Sequence, residues 1–213
     1  VGASGAHEGY DVDVAKLIAK DLGVKLELVP VVSKQRIPFL ETDRVDLVIS
    51  TMGANPTRAK SINFSSAYAP FYSGVFAAST LNIMSPADLS GMTVGVTSGS
   101  LEDLEITKAA PSDAKIFRFG DNAATLSAYT SGQVQVLVTG NTAAASLTES
   151  NPQLDLERKY IVKDSPCFIG VKKGNDDLLR WVNVFILHKK LGGNLNEISQ
   201  KWLGQDLPDM PSL

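Results

Sequence analysis

Only one cysteine, Cys167, occurs in the 213 residues, which excludes an intramolecular disulfide and any cysteine-rich metal cluster and leaves the redox compartment unread. Histidine is almost as scarce: His7 and His188 are far apart, His7-Glu8 lacks the second histidine of a zinc-protease motif, and His188 beside Lys189 and Lys190 reads as solvated. Neither sign of charge is in excess. Lys plus Arg number 20 against 23 for Asp plus Glu, the net charge is −3, and no block of five like charges occurs, so nucleic acid is not an expected partner. Apolar runs are short as well, none reaching the roughly 18 residues needed to span a bilayer. The opening VGASGAHEGYDVD has neither a basic nor an apolar region of the secretory kind, so any secretion signal is expected to have been removed already. What remains is a chain that is 44% hydrophobic, enough for one substantial core or two modest ones in a soluble globular protein.

Periodicity then gives the class. Asp13 to Leu22 places Val14, Leu17, Ile18 and Leu22 on one stripe, with Lys16, Lys20 and Asp21 outside it, and Gly23 stops the helix. Val24 to Leu28 alternates apolar with charged and predicts a strand, Arg36 to Glu41 a short helix, and Val45 to Ile49 a second strand. The alternation resumes with strand Thr93 to Val96, helix Leu101 to Ala109, strand Lys115 to Phe119, helix Ala123 to Thr130, strand Val134 to Val138 and helix Thr142 to Glu149. Two α/β units in series follow. Tyr68 to Ala78 (YAPFYSGVFAA) and Cys167 to Val171 read as extended crossing segments. The amphipathic helix Leu178 to Leu191, with Leu178, Trp181, Val182, Phe185 and Ile186, and the last helix, Ile198 to Leu203, need a sheet to cover. The second unit is complete by about residue 160, so these helices are expected to return to the first. The expected architecture is two lobes of mixed sheet flanked by helices: residues 1–71 with 167–213, and an inserted 72–166. Hinge strands near 68–78 and 163–171 join them, and the cleft between them is the default ligand site.

One stretch concentrates chemistry. In Asp46 to Ser65, DLVISTMGANPTRAKSINFS, an apolar strand runs into Ser50 and Thr51, then a polar turn, then Arg58. An arginine fork matches both oxygens of a carboxylate, and hydroxyls and turn N–H groups can add donors. An arginine that only caps a loop gives the same letters. In Thr97 to Leu101, TSGSL, Gly99 allows close backbone approach and the helix beginning at Leu101 aims its N–H groups outward, while Ser100 is equally suited to be a plain N-cap.

The order GYDVDVAKLIAKDLG, SKQRIPFL, RVDLVIST with Arg58 and NFSSAY, DLSGMTVGVTSGS, SGQVQVLV and ISQKWLG resembles the type-II periplasmic binding proteins of polar amino acid ABC transporters, the family 3 extracellular solute-binding proteins. SKQRIPFL is similar to the NRIP segment of glutamate/aspartate-binding proteins. The resemblance implies Arg58 on a ligand α-carboxylate, helped by Thr51 and by Ser50 or the backbone at Gly53. It puts Arg36 on a second, side-chain carboxylate, and the turn at Ser100 and Leu101 over the ligand from the other lobe. A surface ion pair with Glu41 is the other reading of Arg36. The implied protein is a periplasmic or membrane-associated extracellular monomer that closes over a small carboxylate-bearing ligand, acidic amino acids first, and delivers it to an ABC transporter permease, with no cofactor, metal or catalytic set.

Two departures stand beside it. Gly140 occupies the position at which the resemblance calls for an ammonium-binding Asp, leaving Thr139 or Asn141 as neutral acceptors and an amine-free organic acid as an alternative ligand. The stretch between Gly2 and Gly9 is also shorter than the family's ligand-contacting loop. The same fold serves cyclohexadienyl dehydratases, for which Glu102 or Asp103 would supply the acid; both also suit the first turn of a helix. Cys167, between Pro166 and Phe168, reads as a packed thiol.

Overall fold

The computed structural model describes residues 7–211; the short segment after Gly2 lies partly outside them. The chain divides into two compact units, one made of residues 7–31, 35–70 and 166–211, the other of residues 32–34 and 71–165.

In the first unit, helix α1 (Tyr10–Leu22) buries Val14, Ala15, Ile18 and Ala19 and ends at Gly23, whose φ of 67° returns the cap N–H to the carbonyls of Ala19 and Lys20. Helix α2 (Arg36–Glu41) occupies the expected residues. The sheet is small. Strand β8 (Cys167–Lys172) lies in the middle, antiparallel to β1 (Leu47–Val48) on one side and β2 (Ile62–Ala69) on the other, in the register Val48↔Gly170 and Phe64↔Gly170. Leu40, Val48, Met52 and Ile62 form its core. They pack so closely on Gly170 that a Cβ there would lie 2.5 Å from the Met52 methyl. Helix α6 (Asp176–Leu191) covers β2 with Val182, Phe185 and Ile186, and its Asn183 accepts the Ser66 N–H at 2.7 Å. Helix α7 (Asn194–Leu203) packs on α1.

The second unit holds a five-stranded sheet in the order β5-β4-β6-β3-β7, from β3 (Tyr72–Ala78), β4 (Thr93–Thr97), β5 (Lys115–Phe119), β6 (Val136–Gly140) and β7 (Leu156–Asp164). Strand β4 is parallel to β5 and β6, and β3 is antiparallel to β6 and β7. Helices α3 (Leu101–Ala109), α4 (Asn122–Thr130) and α5 (Asn141–Ser150) complete the crossovers. Alternation along the strands separates two cores. Val75, Ala77, Val94, Val96, Val136 and Val138 pack with Ile106 of α3 on one face, and Phe76 and Leu137 pack with Ala128, Tyr129, Ala144 and Leu147 on the other.

Four expectations change. Val24 to Leu28 forms no strand; Val24 and Leu28 are exposed, and among the described residues no neighbouring edge pairs with them. The expected strand at Val45 to Ile49 shrinks to Leu47–Val48 for want of a partner beyond β8. Tyr68 to Ala78 is two strands rather than one, broken at Pro70, where proline removes a ladder donor. The second unit also continues past residue 160 through the long edge strand β7.

Candidate ligand-binding site

The carboxylate-directed stretch folds as an irregular turn between β1 and β2. Gly53 bridges to Cys167, and the Met52 carbonyl accepts from the Phe168 N–H at 3.0 Å, so β8 continues to hold the chain beyond β1. Arg58 sits in a single helical turn, residues Arg58–Lys60, reached by a tight loop in which the Asn55 side chain accepts the Arg58 N–H at 2.8 Å. Its guanidinium donates to the Gly53 carbonyl at 2.9 Å, and the residue is only 9% exposed. Arg58 is thus oriented by Gly53 rather than spread on the surface. Ser50 and Thr51 lie half-buried beside it in sequence, and their hydroxyls make no hydrogen bond among the described residues.

Thr51 has φ of 40°, in the left-handed region that a β-branched side chain disfavours. What holds it there is Asp11, at the start of α1: its carboxylate accepts the Thr51 N–H at 2.9 Å and the Tyr68 hydroxyl on its other oxygen. Tyr68 is fully buried, and its own carbonyl accepts the Tyr10 hydroxyl at 3.0 Å. Burial pushes the Asp11 carboxyl above its ordinary range, opposed by the bonds from Tyr68 and Thr51 and by the positive charge of Arg36. Arg36, the expected second-carboxylate residue, lies near enough for its positive charge to favour the Asp11 carboxylate. The sequence reading missed Asp11 and Tyr68; the bond from Asp11 to Thr51 spans 40 positions, and no local spacing signals it.

In the second unit the turn Thr97 to Leu101 joins β4 to α3. Gly99 takes a φ of 74°, and its N–H meets the Asp103 carboxylate at 2.9 Å. The Ser100 side chain accepts the Asp103 N–H at 3.1 Å, a true N-cap that still leaves its O–H as a donor. Asp103 is occupied further by Arg118, 2.8 Å away, and by Thr107, so it serves the architecture. Leu101 is buried. Glu102 behaves differently: it accepts from the Ser73 hydroxyl at 2.9 Å, and no cation pairs with it among the described residues.

Gly140 closes β6 and caps α5 without any side-chain bond. Thr139 points to the opposite, buried face of β6, and the Asn141 side-chain oxygen is turned onto the Tyr72 N–H at 3.4 Å. A Cβ at Gly140 would lie 1.9 Å from the ring of Phe71. The aromatic ring thus stands where a side chain at 140 would be. Cys167 is buried, and no helix among the described residues is long and apolar enough to cross a membrane.

The bacterial extracellular solute-binding proteins, family 3, match residues 1–205. The chain belongs to this family. The ABC transporter glutamine-binding protein GlnH of Bacillus subtilis is 32% identical over 208 residues, covering 96% of this chain and 76% of that one. An ancestral arginine-binding protein bound to glutamine shares the fold with a TM-score of 0.89 and 31% identity, over 96% of this chain and 91% of its own. An ancestral amino acid-binding protein described as a precursor of cyclohexadienyl dehydratase has a TM-score of 0.85 and 30% identity, over 94% and 88%. The type-II fold expected from the sequence is therefore the one found. As a family 3 member the chain is an extracytoplasmic solute-binding protein. The relatives' names speak of glutamine and arginine; none of these three is named for an acidic amino acid.

Proposed function

We propose that this family 3 protein is a receptor that binds a free amino acid through its α-carboxylate and presents it to the permease of an ABC transporter. The observation that carries the reading is Arg58: a nearly buried guanidinium oriented by the Gly53 carbonyl, on the same turn as Ser50 and Thr51, whose hydroxyls make no hydrogen bond among the described residues. A carboxylate fits both the planar fork of N–H donors and the hydroxyl donors. In the second unit, the Ser100 hydroxyl and the N–H groups opening α3 form another set of donors suited to a carboxylate. The names of the relatives support a polar, non-acidic side chain such as that of glutamine or arginine. The acidic preference rested on Arg36 and on the likeness of SKQRIPFL to acidic-amino-acid binders, and the relatives' names do not support it.

Calorimetric titration of L-glutamine and L-arginine into the protein and its Arg58→Ala variant tests the reading. Leaving the ligand carboxylate without its partner is expected to cost about 2–5 kcal/mol, roughly 30-fold to several thousand-fold in affinity. Unchanged affinity in the variant would remove Arg58 from the site. The transport reading is favoured by the relatives, which are named as transport binding proteins; of the two acids a dehydratase could use, Asp103 is committed to Gly99, Arg118 and Thr107, and Glu102 is bonded to Ser73.

A further inference from the structure

An amino acid brings an ammonium as well as a carboxylate, and this receptor has no carboxylate at Gly140 to meet it. We propose that Glu102, held by Ser73 and flanked by the ring of Phe71, is the ammonium-binding residue of this receptor. The inference rests on the amino-acid reading above.

Three observations converge on one end of one sheet face. Ser73 and Gly140 are direct partners in the antiparallel pair of β3 and β6, so their side-chain positions lie on the same face, with Cβ positions about 5 Å apart. That face carries α3, whose Ile106 packs with Val75, Val136 and Val138 further along the same strands. The Glu102 carboxylate, in the first turn of α3, reaches back across the face to the Ser73 hydroxyl at 2.9 Å. Ser73 is completely buried, so this bond fixes the carboxylate at a defined place beside the sheet rather than in solvent. On the neighbouring position the Phe71 ring covers Gly140, with ring carbons 1.9, 2.7 and 2.9 Å from where a Cβ would stand. Phe71 is itself fixed: its carbonyl accepts the Ser165 N–H at 2.9 Å. The residue itself is only partly buried.

The chemistry suits an ammonium. Glu102 is half-buried and has no ion-pair partner among the described residues, whereas the acids around it, Asp103 and Glu105, are both paired. Its second oxygen is left as an acceptor by the bond to Ser73. A phenyl ring attracts a cation through its negative face, and a carboxylate next to it supplies the charge. The two together replace what a single carboxylate at 140 would do, and the Phe71 ring accounts for the glycine: any side chain there would collide with it.

The test compares L-glutamine and L-arginine with their amine-free counterparts, 5-amino-5-oxopentanoate and 5-guanidinopentanoate, by calorimetry on the parent, Glu102→Gln, Ser73→Ala and Phe71→Leu. Glutamine at 102 keeps an acceptor for Ser73 and removes only the charge, so its melting temperature should stay near the parent's. The parent should favour the amino acids. Glu102→Gln should weaken them about 10-fold or more and the amine-free acids less than about 3-fold, Ser73→Ala should move in the same direction, and Phe71→Leu should cost the amino acids about 3- to 5-fold. Equal losses for both ligand sets, or tight binding of the amine-free acids alone, would overturn the assignment while leaving the Arg58 result intact. Loss of every ligand in the parent would instead sink the receptor reading, and this inference with it.

Discussion

At the scale of single residues, Asp11 does most to shape the turn of the proposed carboxylate site without being part of its expected chemistry. It accepts from Tyr68 and from the Thr51 N–H, and so maintains a backbone conformation that Thr51 would not choose alone. Asp11→Asn keeps one acceptor oxygen and turns an N–H₂ toward the other donor, so one of the two bonds must fail, at a cost of about 1–3 kcal/mol. The dependence on pH has a defined sign. Because the folded chain holds the Asp11 proton more tightly than the unfolded chain does, the acid's contribution to stability is greatest below the ordinary carboxylate pKa of about 4. It declines as pH rises through the raised value. Urea denaturation of parent and variant across that range should show their difference shrinking as pH increases; a difference that grows would contradict the burial argument. Arg58, Ser50 and Thr51 were identifiable as candidates because a strand end that collects hydroxyls and a guanidinium is a local pattern. Asp11 was not, since its meaning comes from a contact 40 residues away, and neither was the Phe71 ring over Gly140, which spans two strands.

At the scale of elements, the first unit is closed by a clamp between its first and last helices. Asp13 of α1 accepts from Lys201 at 2.7 Å and from the Trp202 indole at 2.9 Å, both on α7. Burial pushes the Asp13 carboxyl up, but the bonds from Lys201, Trp202 and Lys16 together hold it below its ordinary value. A lowered pKa contributes stability above the unfolded pKa and loses it as pH falls through the folded one. Asp13→Asn is therefore expected to cost about 1–2 kcal/mol at neutral pH, with the deficit shrinking in acid as pH falls through the lowered folded value. Equal deficits at both pH values would mean that charge plays no part. Several elements were readable in advance: α3 and β5 fall on the expected residues and β4 runs one residue further, whereas β6 starts and ends two residues later than expected, at Val136–Gly140. Val24 to Leu28 shows the limit. Its alternation is that of a strand, but a strand exists only when a neighbouring edge takes its N–H and C=O groups, and among the described residues none does. The partly exposed edge strand β7, reading LERKYIVKD, errs the other way: its charged residues hid a nine-residue strand that β3 holds in register.

At the scale of the whole molecule, one unit is inserted into the other, and this sets which pieces can fold alone. The chain leaves the first unit at Pro70 and returns at Pro166, and the two ends of the insertion are tied together by the Ser165 N–H on the Phe71 carbonyl. All five strands of the second unit's sheet and both of its cores lie within 71–165. A fragment of residues 71–165 is thus expected to fold by itself, with a cooperative thermal transition and dispersed amide resonances; it falls within the size range of independent domains. The first unit has no such freedom. Its central strand, β8, comes from after the insertion, while both strands that pair with it come from before, so residues 7–70 lack the strand that completes their sheet. That fragment should remain unfolded until a peptide containing Cys167–Lys172 and the two C-terminal helices is added, which heteronuclear spectra of the labelled fragment would detect as new dispersed peaks. Independent folding of 7–70 would mean that α1 and α2 find another apolar surface. Failure of 71–165 to fold would mean that the second unit depends on chain outside its own sheet. The ammonium subsite assigned to Glu102, Ser73 and Phe71 lies wholly within 71–165, so the same fragment could show whether Ser73 holds Glu102 independently of the Arg58 site.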